Sequence, residues 1–251
     1  MSEHAGRKVA FLGATKGMGR ALARAMAERG DALFLLGRDP EDLGRSARDL
    51  EVRAGRGTVG HAECDLERAE SFAAGLSAAE AALGGLDTVV VTAGLFATQD
   101  RLEADPELAR RLLLVNFTNT VAFCEEARRR LLARGGGTLC VFSSVAGERG
   151  RKPVVLYGAA KAGLSRYLEG LDHKFRAQGL VTVCVKPGFV KTSMTDGLKP
   201  PPFAGEPEAV ARQVLRALDR GTPVVYTPGI WRLVMTAIRL LPRSVMRRIG
   251  F

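Results

Sequence analysis

Cysteine, histidine and aromatic residues are all scarce in this sequence. No two cysteines form a C-x-x-C pair, and each lies in or near an apolar run, which favours buried thiols in a reducing compartment over a disulfide framework. The cysteines are Cys64, Cys124, Cys140 and Cys184. The three histidines show no metal-ligand spacing, so we expect no metal site.

Long apolar runs are also missing. No window approaches the ~20 uncharged residues that a membrane-spanning helix needs, and the polar stretch Met1–Lys8 lacks the apolar core of a signal peptide. We therefore expect a cytoplasmic protein. At 251 residues, with 46% hydrophobic and 25% charged side chains, the chain has the composition of a globular domain. This composition excludes a disordered chain, a coiled coil and a fibre.

Acidic residues are too few to balance the basic ones. The sequence holds 37 Lys and Arg against 27 Asp and Glu, a formal net charge of +10. Such an excess suggests an anionic partner, which could be nucleic acid, a membrane surface or a phosphorylated ligand. Nucleic acid is the least favoured, because aromatic residues make up only 6% of the chain and the basic cluster is terminal and amphipathic.

Short apolar runs alternate with longer segments of helical periodicity. Runs that are apolar on both faces and separated by helices predict an α/β fold, a doubly wound parallel sheet with helices on both faces. The predicted strands are Lys8–Gly13, Ala32–Leu36, Thr58–Cys64, Leu86–Thr92, Thr138–Ser143, Val181–Lys186 and Pro223–Tyr226. A proline-rich stretch, Lys199–Phe203, interrupts regular structure and predicts a substrate loop at about 193–206.

A glycine-rich turn follows the first predicted strand and opens a helix. Its sequence is Gly13-Ala14-Thr15-Lys16-Gly17-Met18-Gly19. Glycines let the backbone approach a pyrophosphate closely, and the helix N-terminus then offers free N–H groups to it. The alternative is an ordinary tight turn, but the position between strand and helix favours phosphate binding.

The second predicted strand ends at Gly37-Arg38. NAD sites carry an acidic residue near this point, whereas an arginine can accommodate the 2′-phosphate of NADP. Arg38 and Lys16 are therefore candidate phosphate ligands, and the sequence favours NADP(H). A solvated surface arginine is the alternative interpretation of Arg38.

A Tyr-x-x-x-Lys pair, Tyr157 and Lys161, opens a later helical segment. Residues four apart share a helix face, and a nearby ammonium lowers a phenol pKa toward the range of an acid–base catalyst. Ser144 lies just past the predicted strand Thr138–Ser143, where α/β proteins bind ligands. Asn116 lies in an otherwise apolar helical stretch. Taken alone, it is more simply explained as a buried polar residue with its hydrogen bonds made than as a catalytic one.

Taken together, these residues resemble the classical short-chain dehydrogenase/reductase family over nearly the whole chain. Gly13, Gly17 and Gly19 match its glycine motif, and Asp65, followed by Leu66, matches its adenine-contacting aspartate. Further matches are Asn116, Ser144, Tyr157 and Lys161 for the catalytic set, Ala93 and Gly94 of its Asn-Ala-Gly motif, and Pro187, Gly188, Val190 and Thr192 around its Pro-Gly-x-x-x-Thr motif. Two departures, Leu12 for the usual threonine and Thr92 for the usual asparagine, concern structural support.

The resemblance implies a single Rossmann-type sheet, a dimer or tetramer, and hydride transfer between NADP(H) and a carbonyl carbon. It implies that Tyr157 supplies the proton and that Ser144 hydrogen-bonds the carbonyl oxygen. It further implies that Lys161 holds the nicotinamide ribose and lowers the tyrosine pKa, and that Asn116 anchors a water of the proton relay. The direction in vivo stays open, although NADP(H) favours reduction.

The chain divides into a catalytic domain, 1–229, and a basic amphipathic C-terminal segment, 230–251. No acidic residue follows Asp219, whereas six arginines do, namely Arg220, Arg232, Arg239, Arg243, Arg247 and Arg248. Arginines beside Trp and Leu are typical of a helix lying at a membrane interface. The alternative is a helix packed on the domain or on another subunit, and Pro242 should break it in either case.

Short stretches of the chain further resemble the decaprenylphosphoryl-2-keto-erythro-pentose reductases of bacteria. These stretches are Ser143–Arg149, Val190–Thr195 and Leu240–Arg248. The resemblance implies a lipid-linked keto-sugar or another amphiphilic ketone as substrate, and peripheral contact of 230–251 with the inner membrane face. A soluble 3-ketoacyl or general carbonyl reductase and a non-catalytic NADP-sensing scaffold remain alternatives.

Overall fold

The computed structural model describes residues 6–55, 57–197, 200–201 and 203–249. Seven strands form one sheet: β1 (Lys8–Leu12), β2 (Ala32–Gly37), β3 (Gly60–Glu63), β4 (Thr88–Val91), β5 (Gly137–Phe142), β6 (Leu180–Pro187) and β7 (Val224–Thr227). All neighbouring strands are parallel, in the order β3-β2-β1-β4-β5-β6-β7. The seven predicted strands are thus confirmed, with ends shifted by a few residues at most.

Helices connect consecutive strands and cover both faces of the sheet. They are α1 (Gly17–Glu28), α2 (Pro40–Ala54), α3 (Ser71–Leu83), α4 (Gln99–Ala104), α5 (Pro106–Leu113), α6 (Asn119–Ala133), α7 (Val155–Phe175), α8 (Pro207–Arg220), α9 (Ile230–Leu240) and α10 (Arg243–Arg248). Within the described residues, no helix is long and apolar enough to cross a membrane.

The core lies in two layers because successive strand residues point to opposite faces. In β1, Val9 and Phe11 pack beneath α1, α2 and α8, whereas Ala10 and Leu12 pack beneath α3, α6 and α7. All four side chains are buried. Burial on both faces explains why the strands are continuous apolar runs in the sequence.

Helix ends follow local sequence signals. The Asp39 side chain caps α2 by accepting hydrogen bonds from the backbone N–H groups of Glu41 and Asp42, and Pro40 occupies the first turn. Gly55 ends the same helix in the left-handed conformation, at φ +64°. These signals place α2 directly after Arg38, so the loop that carries Arg38 is short and anchored.

The strand order reverses between β1 and β4, which are neighbours in the sheet but not in the chain. Connections from these two strands lead to opposite faces and leave a crevice at their carboxyl ends. The fold is therefore a Rossmann-type doubly wound sheet, as predicted, and its candidate ligand site lies at this crevice.

Candidate active site

The turn between β1 and α1 needs glycine for steric reasons. Gly13 has φ +98° and Gly17 has φ +52°, in the left-handed region that favours glycine. A Cβ atom on Gly13 would lie 2.5 Å from the Ala93 amide nitrogen, and one on Gly19 would lie 2.1 Å from the Gly13 carbonyl oxygen. The chain therefore makes a side-chain-free cradle at the start of α1.

Thr92 supports this cradle from the neighbouring strand. Its Oγ1 donates a hydrogen bond of 2.8 Å to the Gly13 carbonyl oxygen, and its backbone N–H donates to Leu12. This position departs from the asparagine usual in the resembled family, and the threonine hydroxyl fastens the end of β4 to the glycine turn. The contact agrees with the structural role inferred for Thr92 from sequence.

A cavity of about 470 Å³ opens at the crevice. Twelve of the predicted cofactor residues line it: Gly13, Thr15, Lys16, Gly17, Met18, Gly19, Arg38, Asp65, Leu66, Ala93, Gly94 and Thr192. Thr192 also lies against the turn, with its Cγ2 atom 3.2 Å from where a Cβ of Gly17 would be. The cavity thus joins five separate segments of the chain at one edge of the sheet.

Five other predicted cofactor residues lie outside the lining of this cavity. Two of them, Tyr157 and Lys161, also belong to the predicted catalytic set, and the other three are Pro187, Gly188 and Val190. The Pro187 carbonyl oxygen accepts a 3.5 Å hydrogen bond from the Ser144 hydroxyl. Gly188 packs against the Trp231 indole, where a Cβ would come within 2.0 Å of Nε1. Val190 is buried in the core and bridges Gly205. Within the predicted substrate loop 193–206, Leu198, Lys199 and Pro202 lie outside the described residues.

Sequence reasoning missed several lining residues, all next to residues that it identified. They are Cys64, Glu67, Leu95, Phe96, Val115, Ser193 and Met194. Each lies within two positions of a predicted site residue, so extending every motif by two positions would have found them. Glu67 matters most, because it is a carboxylate on the rim of a cavity predicted to bind an anion.

The two predicted phosphate-binding cations already contact carboxylates. Lys16 Nζ lies 3.0 Å from Asp42 Oδ2, and Arg38 Nη1 lies 3.9 Å from Glu67 Oε1. These carboxylates come from α2 and from the segment after β3, and not from the end of β2, where NAD sites carry their acidic residue. Both cationic side chains remain largely exposed, Arg38 at 67%, so they are accessible from the cavity.

The four residues of the predicted catalytic set lie together beside this cavity. A Cβ atom on Gly94 would lie 2.9 Å from Asn116 Oδ1 and 3.8 Å from Lys161 Nζ. Lys161 Nζ is 5.8 Å from the centre of the Tyr157 ring, and the Ser144 side chain is near enough to Tyr157 to act on the pKa of its phenol. The Tyr157 ring also packs edge-on against Phe96, which lines the cavity.

Burial is the largest cause of the pKa shifts of both Tyr157 and Lys161. It raises the pKa of Tyr157 to about 12, although the hydrogen bond with Ser144 acts in the opposite direction. Burial also lowers the pKa of Lys161 to about 8. The Lys161 ammonium donates its hydrogen bond to the Phe142 carbonyl oxygen, at 3.0 Å, and the lowering of the tyrosine pKa by Lys161 stays a prediction.

Asn116 lies in a π-helical turn, Leu114–Thr118, between α5 and α6. Its Oδ1 accepts a hydrogen bond from the Leu95 backbone N–H at 2.8 Å, and its Nδ2 donates to the Leu95 carbonyl oxygen at 2.6 Å. The Asn116 side chain thus holds the segment after Gly94 in place, and its role in anchoring a water of the proton relay stays a prediction. π-Helical turns are frequent at functional sites.

The C-terminal segment packs beside Ser144. In α9, Trp231 and Met235 are buried against Val145, the residue that follows Ser144. Arg239 contacts Glu148, a buried carboxylate that also accepts hydrogen bonds from Lys186 and Tyr226. Packing on the domain is therefore the correct alternative for this face of α9, and Arg239 pairs with an acid of the domain although no acidic residue follows Asp219 in the sequence. As predicted, the helix ends before Pro242.

The opposite face of α9 exposes apolar side chains. Leu233 is 70% exposed and Leu240 is 80% exposed, and Ile230 lies on the same side. Apart from Arg239, the arginines of α9 and α10 make no ion pair within the described part of the chain. They are Arg232, Arg243, Arg247 and Arg248.

The sequence model of the short chain dehydrogenases matches residues 7–201. The chain therefore belongs to the short chain dehydrogenase family, whose members are oxidoreductases that use nicotinamide cofactors.

Its relatives agree with this assignment. An uncharacterized oxidoreductase of Mycobacterium tuberculosis is 33% identical over 99% of both chains. Carbonyl reductase family member 4 of Xenopus tropicalis is 27% identical over 84% of this chain and 90% of its own. A short-chain type dehydrogenase/reductase of Mycobacterium ulcerans has the same fold, with a TM-score of 0.78 over 87% of each chain at 22% identity.

Proposed function

We propose that this protein is an NADPH-dependent reductase that converts a ketone to an alcohol. The convergence of Asn116, Ser144, Tyr157 and Lys161 beside the cavity carries this proposal. A scaffold that only senses NADP would not need an acid, an oxyanion donor and a cation at one point. The carbonyl reductase among the relatives supports the same reaction class.

The cradle fits a dinucleotide. Its glycines leave the backbone N–H groups at the start of α1 open to a pyrophosphate. Asp65 and Leu66 also line the cavity, and the family resemblance implies that Asp65 contacts the adenine. Lys16, directly before α1, and Arg38, directly after β2, both line the cavity, and the end of β2 is the position from which a 2′-phosphate is bound. These two cations are the reason for proposing NADP(H) over NAD(H).

When bound, the reduced nicotinamide supplies the hydride. In the proposed mechanism, the Tyr157 hydroxyl donates a proton to the carbonyl oxygen of the substrate. The Ser144 hydroxyl hydrogen-bonds that oxygen and stabilises the negative charge that develops on it. Lys161 holds the nicotinamide ribose and contributes positive charge, and Asn116 fixes the backbone at Leu95. A phenol with a raised pKa is protonated at neutral pH, as reduction requires.

Tyr157→Phe tests the reaction, because it removes the proton donor and keeps the ring against Phe96. We expect turnover of NADPH with ketones to fall to background while NADPH still binds. Substantial residual turnover would refute the role of Tyr157. Arg38→Ala tests the cofactor, since it should weaken NADPH binding and leave NADH binding unchanged, and an undiminished NADPH preference would refute the role of Arg38.

We propose an amphiphilic substrate, such as a lipid-linked keto-sugar, delivered at the inner membrane face. The exposed Leu233 and Leu240 lie beside arginines that form no ion pair with any described residue, which supports this choice over a soluble carbonyl substrate. An arginine near an anionic leaflet contributes about 1 kcal/mol to binding. A panel of ketones that includes a polyprenyl-phosphate keto-sugar separates the two substrate classes. Preference for small soluble ketones would contradict the lipid-linked substrate.

Membrane contact is tested by sedimentation with anionic and neutral vesicles. We expect the wild type to bind anionic vesicles and the double variant Leu233→Ser, Leu240→Ser to bind them much less. Val52→Ser is the matched control, because Val52 is 82% exposed but lies on α2. Equal binding of all three proteins would contradict contact through α9, and a concentration-dependent dimer broken by the double variant would assign this face to a second copy.

We also propose that the protein is a dimer or tetramer, which the family resemblance implies. Light scattering coupled to size-exclusion chromatography measures the mass in solution, and a monomer would contradict the proposal.

A further inference from the structure

Glu67 on the cavity rim is held by an arginine from a distant helix. Arg111, in α5, makes two hydrogen bonds to the Glu67 carboxylate, with Nε 2.7 Å from Oε2 and Nη2 2.5 Å from Oε1. Arg38 is farther from the same carboxylate, at 3.9 Å. Arg111 is therefore the principal partner of Glu67, and Arg38 is a secondary one.

The same arrangement occurs at Lys16. The Asp42 carboxylate lies 2.5 Å from Arg45 Nη2 and 3.0 Å from Lys16 Nζ. Lys16 lines the cavity, whereas Arg45 does not. In both places a cavity-lining cation is paired with a carboxylate, and a second arginine outside the cavity lies closer to that carboxylate than the cation does.

The second arginine determines the net charge of the group of side chains that faces a bound phosphate. Arg38 and Glu67 alone would form a neutral pair, and the carboxylate would repel a phosphate nearby. With Arg111 bound to Glu67, the group of three carries a net positive charge, and the Arg38 guanidinium remains available. The cluster of Lys16, Asp42 and Arg45 gains a positive charge in the same way.

We propose that Arg111, and likewise Arg45, determines the preference for a cofactor with an extra phosphate by occupying the carboxylate that competes for the phosphate-binding cation. The inference rests on the proposed NADP(H) preference and assigns its control to residues that do not touch the cofactor cavity. Arg111 and Arg45 are thus positioning residues, acting through Arg38 and Lys16.

The test is a set of calorimetric titrations with NADPH and NADH. Arg111→Met should raise the Kd for NADPH roughly fivefold, the size of one partly exposed ion pair, with little change for NADH. Adding Glu67→Gln to this variant removes the competing carboxylate and should return the Kd for NADPH to near the wild-type value. Arg45→Met should behave like Arg111→Met. Because Arg111 is partly exposed, its replacement should leave the fold intact.

Arg110→Met is the matched control. Arg110 is the adjacent residue of α5 and carries the same charge, but its guanidinium hydrogen-bonds Glu107 and does not line the cavity. If Arg111→Met and Arg110→Met shift NADPH binding equally, the effect is one of net charge and the inference is overturned. An equal loss of NADPH and NADH affinity in Arg111→Met also overturns it, as does failure of Glu67→Gln to restore NADPH binding.

The wild-type titration separates this inference from the proposed function. A wild type without preference for NADPH overturns the proposed cofactor itself. A wild type that prefers NADPH, loses the preference with Arg38→Ala and keeps it with Arg111→Met overturns only the inference about Arg111. Repeating the titrations at high salt adds a check, because the expected shift is electrostatic and should shrink as salt screens it.

Discussion

The buried ammonium of Lys161 should make the stability of this protein depend on pH in a defined window. Only 5% of Lys161 is exposed, and its ammonium donates a hydrogen bond to the Phe142 carbonyl oxygen. Burial lowers its pKa from 10.5 to about 8. A lower pKa in the folded chain means that the folded state binds this proton less tightly than the unfolded state does.

The direction and the magnitude of the pH dependence follow from the pKa of Lys161 in the unfolded and folded states. Below about pH 8 the lysine is charged in both states, and its burial costs the folded state about 3 kcal/mol, at 1.36 kcal/mol for each pH unit of difference. Between about pH 8 and 10.5 only the unfolded state holds the proton, so stability rises with pH. Above this window both states are neutral and the cost is gone.

Lys161→Met removes this titration. The free energy of unfolding of the wild type, minus that of Lys161→Met, should therefore rise by about 2 kcal/mol between pH 7 and pH 9.5. Urea denaturation of both proteins, followed by circular dichroism at several pH values, measures the difference. Groups common to both proteins cancel in it.

Lys186→Met is the control at a second poorly exposed lysine. Burial acts to lower the pKa of Lys186, but the hydrogen bond to Glu148, together with the charge interactions of Cys184, Glu148 and Tyr226, outweighs burial and raises that pKa above the ordinary value. The corresponding difference for Lys186→Met should stay constant between pH 7 and 9.5. A constant difference for Lys161→Met as well would refute the argument that burial lowers the pKa of Lys161.

Three further predictions concern the glycine turn, Ser144 and α9. Gly19→Ala should weaken NADPH binding at least tenfold in calorimetric titrations, because the new Cβ meets the Gly13 carbonyl oxygen, whereas Gly170→Ala, whose Cβ meets nothing within 4 Å, should bind normally. Ser144→Ala should lower turnover about a hundredfold and leave NADPH affinity unchanged in the same titrations; unchanged turnover would contradict its role. Trp231→Ala should lower the free energy of unfolding by about 3 kcal/mol in urea, since the indole is buried against Met235, and a loss below about 1 kcal/mol would contradict the packing of α9.

The strands and the glycine turn could be predicted because their determinants are local. A strand buried on both faces must be apolar throughout, as β1 is, and its length is set by the sheet. The turn at Gly13 has room only for residues without a Cβ atom at certain positions, and glycines at those positions can be recognised in the sequence. The proximity of Tyr157 and Lys161 also follows from spacing, because both lie on α7.

Charge pairing could not be predicted in this way, because it depends on residues that the fold brings together. Lys16 meets a carboxylate 26 positions away, in Asp42, and Glu67 meets its arginine 44 positions away, in Arg111. The net charge of the chain shows an excess of cations but not which cations are neutralised. For the same reason the upward shift of the Tyr157 pKa could not be predicted, since burial among surrounding elements causes it.

Gly188 shows how one motif can have two physical causes. The family resemblance assigns the Pro187-Gly188 pair to cofactor binding, but the structure gives Gly188 a separate requirement, since a Cβ there would lie 2.0 Å from Trp231 Nε1. The glycine therefore allows α9 to dock beside Val145 and, through it, Ser144. Gly188→Ala should accordingly disturb the C-terminal helix and the Ser144 turn together, which makes the tail part of the active-site scaffold whether or not its outer face contacts a membrane.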